Sequence, residues 1–466
     1  MRILFPSAEV APFSKTGGLG DVAGALPRAL VELGHEVLVV TPWYATLATD
    51  PRPLWIGDVE VPFAGGMEPV GVGTVEADGV RYAFVGHEDY QRETLYGYPD
   101  DVRRFVRFAR SVPQVAERVG FTPDVVHLHD WHTAYLPMVL ANGWHLPAGF
   151  PGLPSVFTVH NVQHQGVWDL EETLWWLRLP GALRGSYLNH FEHANAMQAG
   201  VGFATRVTTV SPTYAEEIQR PEFGYGLDGT FRSLSGKLVG ILNGIDVDTW
   251  NPAADPHLPQ PYDASDPAGK AAAAQALRAR LDLAPGYPIL GVVSRFAEQK
   301  GIDLVLDAAE RLLAQGWSLA LLGTGDRSLE AAARRLMARH RGRVSGFVGF
   351  DEGLAHQLYA GADALAVPSR FEPCGLSQMI AMRYGTVPIV RATGGLRDTV
   401  EHGRTGFVFE HATADGLCWA AGEAMRAFGS PTWLAMQRDG MRQDWSWRHS
   451  AKRYELLYTS VLPSLA

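Results

Sequence analysis

Ile3-Leu4-Phe5, then Lys15-Thr16-Gly17-Gly18-Leu19-Gly20-Asp21, then the run from Val22 to Leu33, form the stretch on which the fold reading turns. A short apolar strand, a glycine-rich loop and an amphipathic helix in that order open a βαβ unit. The three glycines let a backbone approach a ligand without Cβ obstruction. A helix over Val22 to Leu33 would aim free N–H groups and its dipole at a phosphate, and Lys15 adds a positive charge. The spacing matches neither G-x-G-x-x-G nor the Walker A pattern, so neither a dinucleotide fold nor a P-loop follows. Gly-Gly also serves any tight turn, and the loop by itself leaves phosphate binding open.

Outward from this stretch, short β-branched runs alternate with helical ones through both halves of the chain. Val37-Leu38-Val39-Val40, Val125-Val126-His127-Leu128, Ser155-Val156-Phe157-Thr158-Val159 and Val207-Thr208-Thr209-Val210 read as buried strands. Near Leu242-Asn243-Gly244-Ile245-Asp246 the texture changes to a Pro- and Asp-rich segment, 251–266, that suits an interdomain connection. A second series follows in Ile289 to Val293, Leu319 to Leu322, Arg343-Val344 with Phe347-Val348, Ala364 to Val367 and Val387 to Val390. The expected architecture is α/β. Residues 1–245 and 246–440 form two doubly wound domains facing a central cleft, and a helical segment 441–466 crosses back to the first. Ligands of such sheets bind at the carboxyl ends of strands.

Composition narrows the function classes. With 466 residues, 46% apolar and 19% charged, the chain suits two ordinary globular domains. A net charge of -10 argues against nucleic-acid or anionic-membrane partners. Two cysteines, Cys374 and Cys418, make no disulfide framework, and no apolar run approaches the ~20 residues of a membrane span, so a cytoplasmic location is expected. Of the thirteen tryptophans most belong in cores, but an exposed subset would stack on sugar rings.

The second half carries four strand ends with ligand-binding chemistry. In Ser294-Arg295-Phe296-Ala297-Glu298-Gln299-Lys300-Gly301 two cations flank a strand-to-helix turn, where both can converge on one diphosphate; the plainer reading is two solvated charges. Gly323-Thr324-Gly325-Asp326 offers a nest of backbone N–H groups, and Thr393-Gly394-Gly395-Leu396 repeats the arrangement. Arg370-Phe371-Glu372-Pro373-Cys374-Gly375-Leu376 leads into a helix from Ser377, so amides and the Glu372 carboxylate can meet hydroxyl groups. Cys374 is a candidate nucleophile by residue type, but its context suits a small lining residue.

In the first half, His127-Leu128-His129-Asp130-Trp131-His132 raises a metal reading, because His127 and His129 would share a strand face. Asp130 falls one position early for the H-x-H-x-D-H run of metallohydrolases, which favours a pocket-lining strand end. Thr158-Val159-His160-Asn161 ends the next strand with two polar side chains.

Taken in order along nearly the whole chain, these motifs, with Pro221-Glu222-Phe223-Gly224-Tyr225-Gly226, resemble those of bacterial glycogen synthases and plant starch synthases. These are retaining glucosyltransferases of GT-B architecture. The resemblance implies transfer of glucose from ADP-glucose to the non-reducing 4-hydroxyl of an α-1,4-glucan such as glycogen. It implies that Lys15 and Gly18 contact the donor, that Arg295 and Lys300 hold the diphosphate, and that Glu372 with amides near Cys374, Gly375 and Leu376 binds the glucose hydroxyls. His160 would line the sugar pocket, with Asp21, Tyr96, Asn161 and Asn243 as secondary candidates. No metal and no cofactor beyond the co-substrate is implied. The chain departs from the related E-x(7)-E pattern, whose second acid falls at Ile380, and His164 and the shortened loop Arg92 to Tyr98 also differ. The alternatives are a UDP-sugar donor and a metal-dependent hydrolase centred on His127, His129, Asp130 and His132.

Overall fold

The computed structural model describes residues 1–47, 52–266 and 268–462. The chain divides into two compact units, Met1–Leu242 with Trp447–Ala466, and Asn243–Ser446.

In the first unit the strands in chain order are β1 (Arg2–Pro6), β2 (Glu36–Pro42), β3 (Leu54–Phe63), β4 (Gly66–Ala77), β5 (Val80–Gly86), β6 (Val125–His129) and β7 (Ser155–Val159). There follow β8 (Val167–Asp169), β9 (Asn189–His190), β10 (His193–Asn195), β11 (Arg206–Thr209) and β12 (Leu238–Gly240). Among the described residues the main sheet runs β12-β11-β7-β6-β1-β2-β5-β4-β3, and β8-β10-β9 make a small separate sheet. From β12 to β5 the strands are parallel, while β4 runs against both its neighbours. Ile3, Leu4 and Phe5 of β1 are all 0% exposed, as a parallel strand covered on both faces requires.

Strand order reverses between β1 and β6, so the loops leaving those two strands open onto a crevice at the carboxyl edge. The helix that follows β1 spans Gly18–Glu32 and begins four residues before the expected Val22, so the glycine run supplies its first turn. Leu19, Val22, Ala23, Leu26 and Leu30 bury one stripe of it. The hairpin strands β3 and β4 and the helix Asp101–Arg118 lie outside the sequence expectation, although Val102, Phe105, Val106, Ala109 and Val112 of the helix recur at helical spacing. Leu54 and Trp55 of β3 are exposed, and the helix buries Arg104, Arg107 and Arg110, which breaks the usual apolar stripe.

The helix Trp447–Val461 belongs to the first unit. Trp447, Ala451, Tyr454 and Tyr458 recur at helical spacing and join the apolar cluster of Phe5, Leu26 and Val39. Ser450 Oγ donates to Leu242 O at 2.6 Å.

The second unit is built on β13 (Ile289–Val293), β14 (Ser318–Gly323), β15 (Val344–Val348), β16 (Ala364–Val367), β17 (Val387–Arg391) and β18 (Phe407–Phe409). They form a parallel sheet in the order β15-β14-β13-β16-β17-β18. This is the doubly wound order of a Rossmann-like sheet, and it reverses between β13 and β16. Both units are therefore of the expected α/β class. The short edge strand β18 lies outside the sequence expectation.

Candidate active site

In the second unit the reversal point is where the chain places its motifs. Arg295 leaves β13, and Glu372 follows β16. Glu372 is 6% exposed, and its Oε2 accepts from Lys300 Nζ at 2.6 Å and from Ser369 Oγ at 3.0 Å. One carboxylate oxygen and two ammonium hydrogens thus remain for other partners. Arg295 is exposed, and Nη2 donates to Gln299 Oε1 at 3.3 Å, which leaves most of its guanidinium edge in solvent. Lys300 reaches this position because Gly301 turns the backbone at φ 67, and a Cβ there would lie 2.2 Å from Pro368 O.

The stretch from Glu372 to Leu376 is held from behind. Gly394 and Gly395 press on it so closely that added Cβ atoms would meet Glu372 O at 1.9 Å and Cys374 O at 2.0 Å. Gln378 Nε2 donates to Gly375 O at 2.8 Å and to Cys374 O at 3.2 Å. The amides of Gly375 and Leu376 have no acceptor among the described residues and remain available to hydroxyl groups. Burial pushes the Cys374 thiol up to about 12, so it is a packed lining residue and no nucleophile. Asn243 is 7% exposed, and its amide oxygen has no hydrogen-bond partner among the described residues. Arg370 serves the structure, forming a paired contact with Asp303 at 2.6 and 2.7 Å.

The glycines of Gly323-Thr324-Gly325-Asp326 do not leave an anion nest open. Glu330 Oε1 accepts from Gly325 N at 3.0 Å and from Thr324 Oγ1 at 2.6 Å. Phe371 precedes the acid, and Phe350, 86% exposed just past β15, is a ring on the carboxyl edge that sequence reasoning passed over. Its signal was a lone aromatic between Gly349 and Asp351, with no motif around it.

In the first unit, Lys15 Nζ pairs with Asp21 Oδ1 at 2.6 Å, both side chains partly in solvent. The loop between β1 and its helix is shaped by Glu9, which is only 4% exposed. Its Oε2 accepts from Thr16 N at 2.6 Å and Gly17 N at 3.1 Å, and its Oε1 accepts from Thr16 Oγ1 at 2.7 Å. A Cβ on Gly17 or Gly18 would meet nothing within 4 Å, whereas one on Gly20 would meet Lys15 Cγ at 3.0 Å. The first two glycines leave room, and the third serves packing. Glu9 was absent from the sequence expectation because nothing local ties it to a loop seven residues on.

His160 and Asn161 sit past β7 beside the loop from β6. Asp130 Oδ1 accepts from His160 N at 2.7 Å and from Asn161 N at 3.4 Å. Burial raises the Asp130 carboxyl to about 7 and lowers the His160 ring to about 3. The neutral His160 Nε2 shares a proton with His129 Nδ1 at 3.0 Å. Tyr96 stacks on His132 at 4.8 Å, and its hydroxyl is buried near Tyr44 and Glu9. That places Tyr96 as support for the site wall.

The histidine run resolves into core chemistry. His127 Nε2 bonds Thr158 Oγ1 at 2.7 Å and His127 Nδ1 bonds Tyr458 OH at 2.7 Å, so both ring nitrogens are engaged. Burial holds the rings of His127, His129 and His132 well below the ordinary histidine range. Among the described residues no group of three or more His, Cys, Asp or Glu side chains is placed to hold a metal ion.

The starch synthase catalytic domain model matches residues 2–233, and the glycosyl transferases group 1 model matches 274–426. Glycogen synthase of Deinococcus radiodurans is 48% identical, covering 99% of this chain and 100% of its own. That of Thermus thermophilus is 44% identical with the same coverage. Among solved structures, the catalytic domain of Arabidopsis thaliana starch synthase IV, bound to ADP and acarbose, aligns with TM-score 0.91 at 34% identity over 99% of both chains. Sucrose-phosphate synthase from Thermosynechococcus elongatus, at TM-score 0.62 and 19% identity over 98% of both chains, shares the fold. With relatives this similar along essentially their whole length, and with two doubly wound units carrying the motifs at their strand-order reversals, the chain belongs to the glycogen synthase family of glycosyltransferases.

Proposed function

We propose that the chain transfers glucose from ADP-glucose to the non-reducing 4-hydroxyl of an α-1,4-glucan such as glycogen, with retention of configuration. The observation that carries the reading is the pairing of the buried Glu372 with the half-buried Lys300 at the β13/β16 reversal, anchored by Ser369 and flanked by the exposed Arg295. Breaking the anomeric bond builds negative charge on the leaving diphosphate and positive charge on the sugar ring. Fixed cations beside the diphosphate stabilise that state more than the ground state. Arg295 supplies a bidentate edge for phosphate oxygens, and Lys300 supplies a point charge. The free oxygen of Glu372 and the amides of Gly375 and Leu376 accept from and donate to glucose hydroxyls. Phe350 offers a face to the base.

In the first unit, Lys15 and Gly18 serve the donor, with Asp21 orienting the Lys15 ammonium. His160 accepts from or donates to the sugar through Nδ1, and its ring is neutral at ordinary pH, so it adds no charge repulsion beside a cationic sugar. Asn161 and Asn243 contribute amide groups. This reading assigns neutralisation of the diphosphate to protein cations and calls on no metal or other cofactor. Ile380 stands where the related pattern has its second acid, so no carboxylate pair is invoked, which favours front-face attack within an ion pair. The reading places the enzyme in the cytoplasm; among the described residues no helix is long and apolar enough to cross a membrane. The test is nucleotide release from ADP-glucose and UDP-glucose with glycogen as acceptor. Release of ADP with chain extension is expected; preference for UDP-glucose, or no transfer from either donor, overturns it.

A further inference from the structure

We infer that His129 is a positioning residue for the transfer: it donates its one ring hydrogen from Nδ1 to His160 Nε2, which fixes His160 as a hydrogen-bond donor at Nδ1, the nitrogen assigned to the sugar. The inference rests on the transferase reading for the role of His160.

The pairing is made by two neighbouring strand ends. β6 and β7 are parallel, with His129 opposite Thr158. His160 lies two residues past Thr158, so the period-two alternation of a strand brings it to the same face. His129 Nδ1 and His160 Nε2 are 3.0 Å apart. The backbone of His160 is held separately, because Asp130 Oδ1 accepts from its N at 2.7 Å and Asp130 turns the chain out of β6 at φ 53. The contact with His129 therefore governs the imidazole and leaves the loop to Asp130. His129 has little freedom of its own. It is 0% exposed, and its ring packs on those of Phe5 and His127 with centroids 4.2 Å from each. His127 is in turn engaged at both nitrogens, by Thr158 and Tyr458. Among the described residues His129 Nε2 is buried and meets no hydrogen-bond partner.

A count of hydrogens decides the rest. Burial holds both rings below the ordinary histidine range, so each is neutral and carries one hydrogen, and a single hydrogen lies between them. Were it on His160, the hydrogen of His129 would sit on Nε2, a buried N–H facing no acceptor. With it on His129 Nδ1, only a lone pair at Nε2 goes unmet, and the hydrogen of His160 stands on Nδ1. Orphaned N–H groups in protein interiors are rarer than under-satisfied acceptors, which selects the second arrangement. The hydrogen bond at one ring nitrogen thus sets the state of the other. His160 is partly exposed, and no hydrogen bond among the described residues uses its Nδ1. An N–H there donates to a sugar hydroxyl oxygen and offers no lone pair to the cationic ring that forms as the anomeric bond breaks. The other tautomer would set a bare nitrogen, a nucleophile, beside that ring.

The test uses the full chain with its 16 histidines labelled with nitrogen-15. Ring nitrogen shifts separate N–H from bare nitrogen, and the His160 signals are those lost in His160→Gln. Wild type is expected to show a protonated Nδ1 and a bare Nε2 at His160, and His129→Phe a mixture of the two tautomers. His129→Phe keeps a ring and removes the unmet Nε2, so it should melt no lower than wild type. Its turnover should nevertheless fall about three- to tenfold, the scale of one neutral hydrogen bond, with ADP affinity by calorimetry unchanged. His129→Asn returns a side-chain N–H near the place of Nδ1 and should recover most of the turnover while melting lower, because it leaves a cavity. A purely structural role gives the reverse order, with activity following the melting midpoint. A protonated Nε2 at His160 in wild type overturns the proposal, as does ordinary turnover by His129→Phe. If that variant fails to fold, turnover by His129→Asn more than about tenfold below wild type overturns it. The spectra are read without turnover, so failure of the transferase reading shows separately, as absence of ADP release by wild type.

Discussion

Two glycine-bearing loops leave parallel strands in the two units, and both look alike in sequence. Lys15-Thr16-Gly17-Gly18 follows β1, and Gly323-Thr324-Gly325-Asp326 follows β14. In each an internal carboxylate accepts backbone amides, Glu9 in the first and Glu330 in the second. They differ in what the glycines are for. A Cβ on Gly17 or Gly18 would meet nothing, while one on Gly325 would lie 2.3 Å from Phe296 O. The first loop keeps its backbone clear for something other than protein. The second uses its glycine to close β14 against the Arg295 turn, where Phe296 N donates to Thr324 O at 2.8 Å. A glycine motif therefore reports a close approach, and the fold decides whether a ligand or the protein makes it.

Substitutions can break this comparison. The largest effects belong to the cations. Lys15→Ala and Arg295→Ala should each lower turnover by about two orders of magnitude, the scale of removing one preorganised charge-stabilising group, with an unchanged melting midpoint. Near-normal turnover in either variant removes that residue from the site.

Glu372→Gln comes next. Hydrogen bonds to an ionised carboxylate contribute about 1.5 to 3 kcal/mol, so turnover should fall roughly ten- to a hundredfold if they form mainly at the transition state. ADP affinity, measured by calorimetry, should stay within a few-fold because ADP carries no glucose. A Glu372→Gln enzyme with ordinary turnover would show that the carboxylate serves only its ion pair with Lys300.

The two loops themselves give a direct contrast in stability. Gly325→Ala should destabilise the chain by about 2 to 4 kcal/mol, since backbone at Phe296 would have to shift. Gly18→Ala should leave stability within about 0.5 kcal/mol, or raise it slightly through helix propensity, while impairing donor binding. Chemical denaturation of both variants checks this, and equal losses would erase the distinction drawn between the loops.

A last contrast is a pH slope at the first-unit site. Asp130, raised to about 7, keeps its proton in the folded chain after the unfolded chain has lost it, so its contribution to stability falls as pH rises from about 4 to 7. His160, lowered to about 3, acts oppositely, because its stabilisation is lost as pH falls from about 6.5 toward 3. Asp130→Asn keeps an acceptor for His160 N and removes the first contribution. Stability measured across that window should then rise more steeply with pH than in wild type, and an identical slope would mean that Asp130 is ionised in the folded chain.

The amino-acid sequence by itself determined the alternation of apolar runs and helices, hence two doubly wound units, and it marked Arg295, Lys300, Glu372 and His160 as strand-end residues. Those signals are local, since a buried parallel strand must be apolar along its whole length, and polar side chains beyond its end stand out. Tertiary structure alone decided what is paired across distance. It brought Lys300 onto Glu372, set Glu9 beneath the Lys15 loop, filled the Gly325 nest with Glu330, and gave His127 to Tyr458, 331 residues away. It also sorted the tryptophans, burying Trp176 and leaving Trp175 exposed, although the two are adjacent in the chain. Residue type and spacing fix which groups are available, but the partner of a buried charge or ring nitrogen depends on strand order and packing, which no short stretch of sequence encodes.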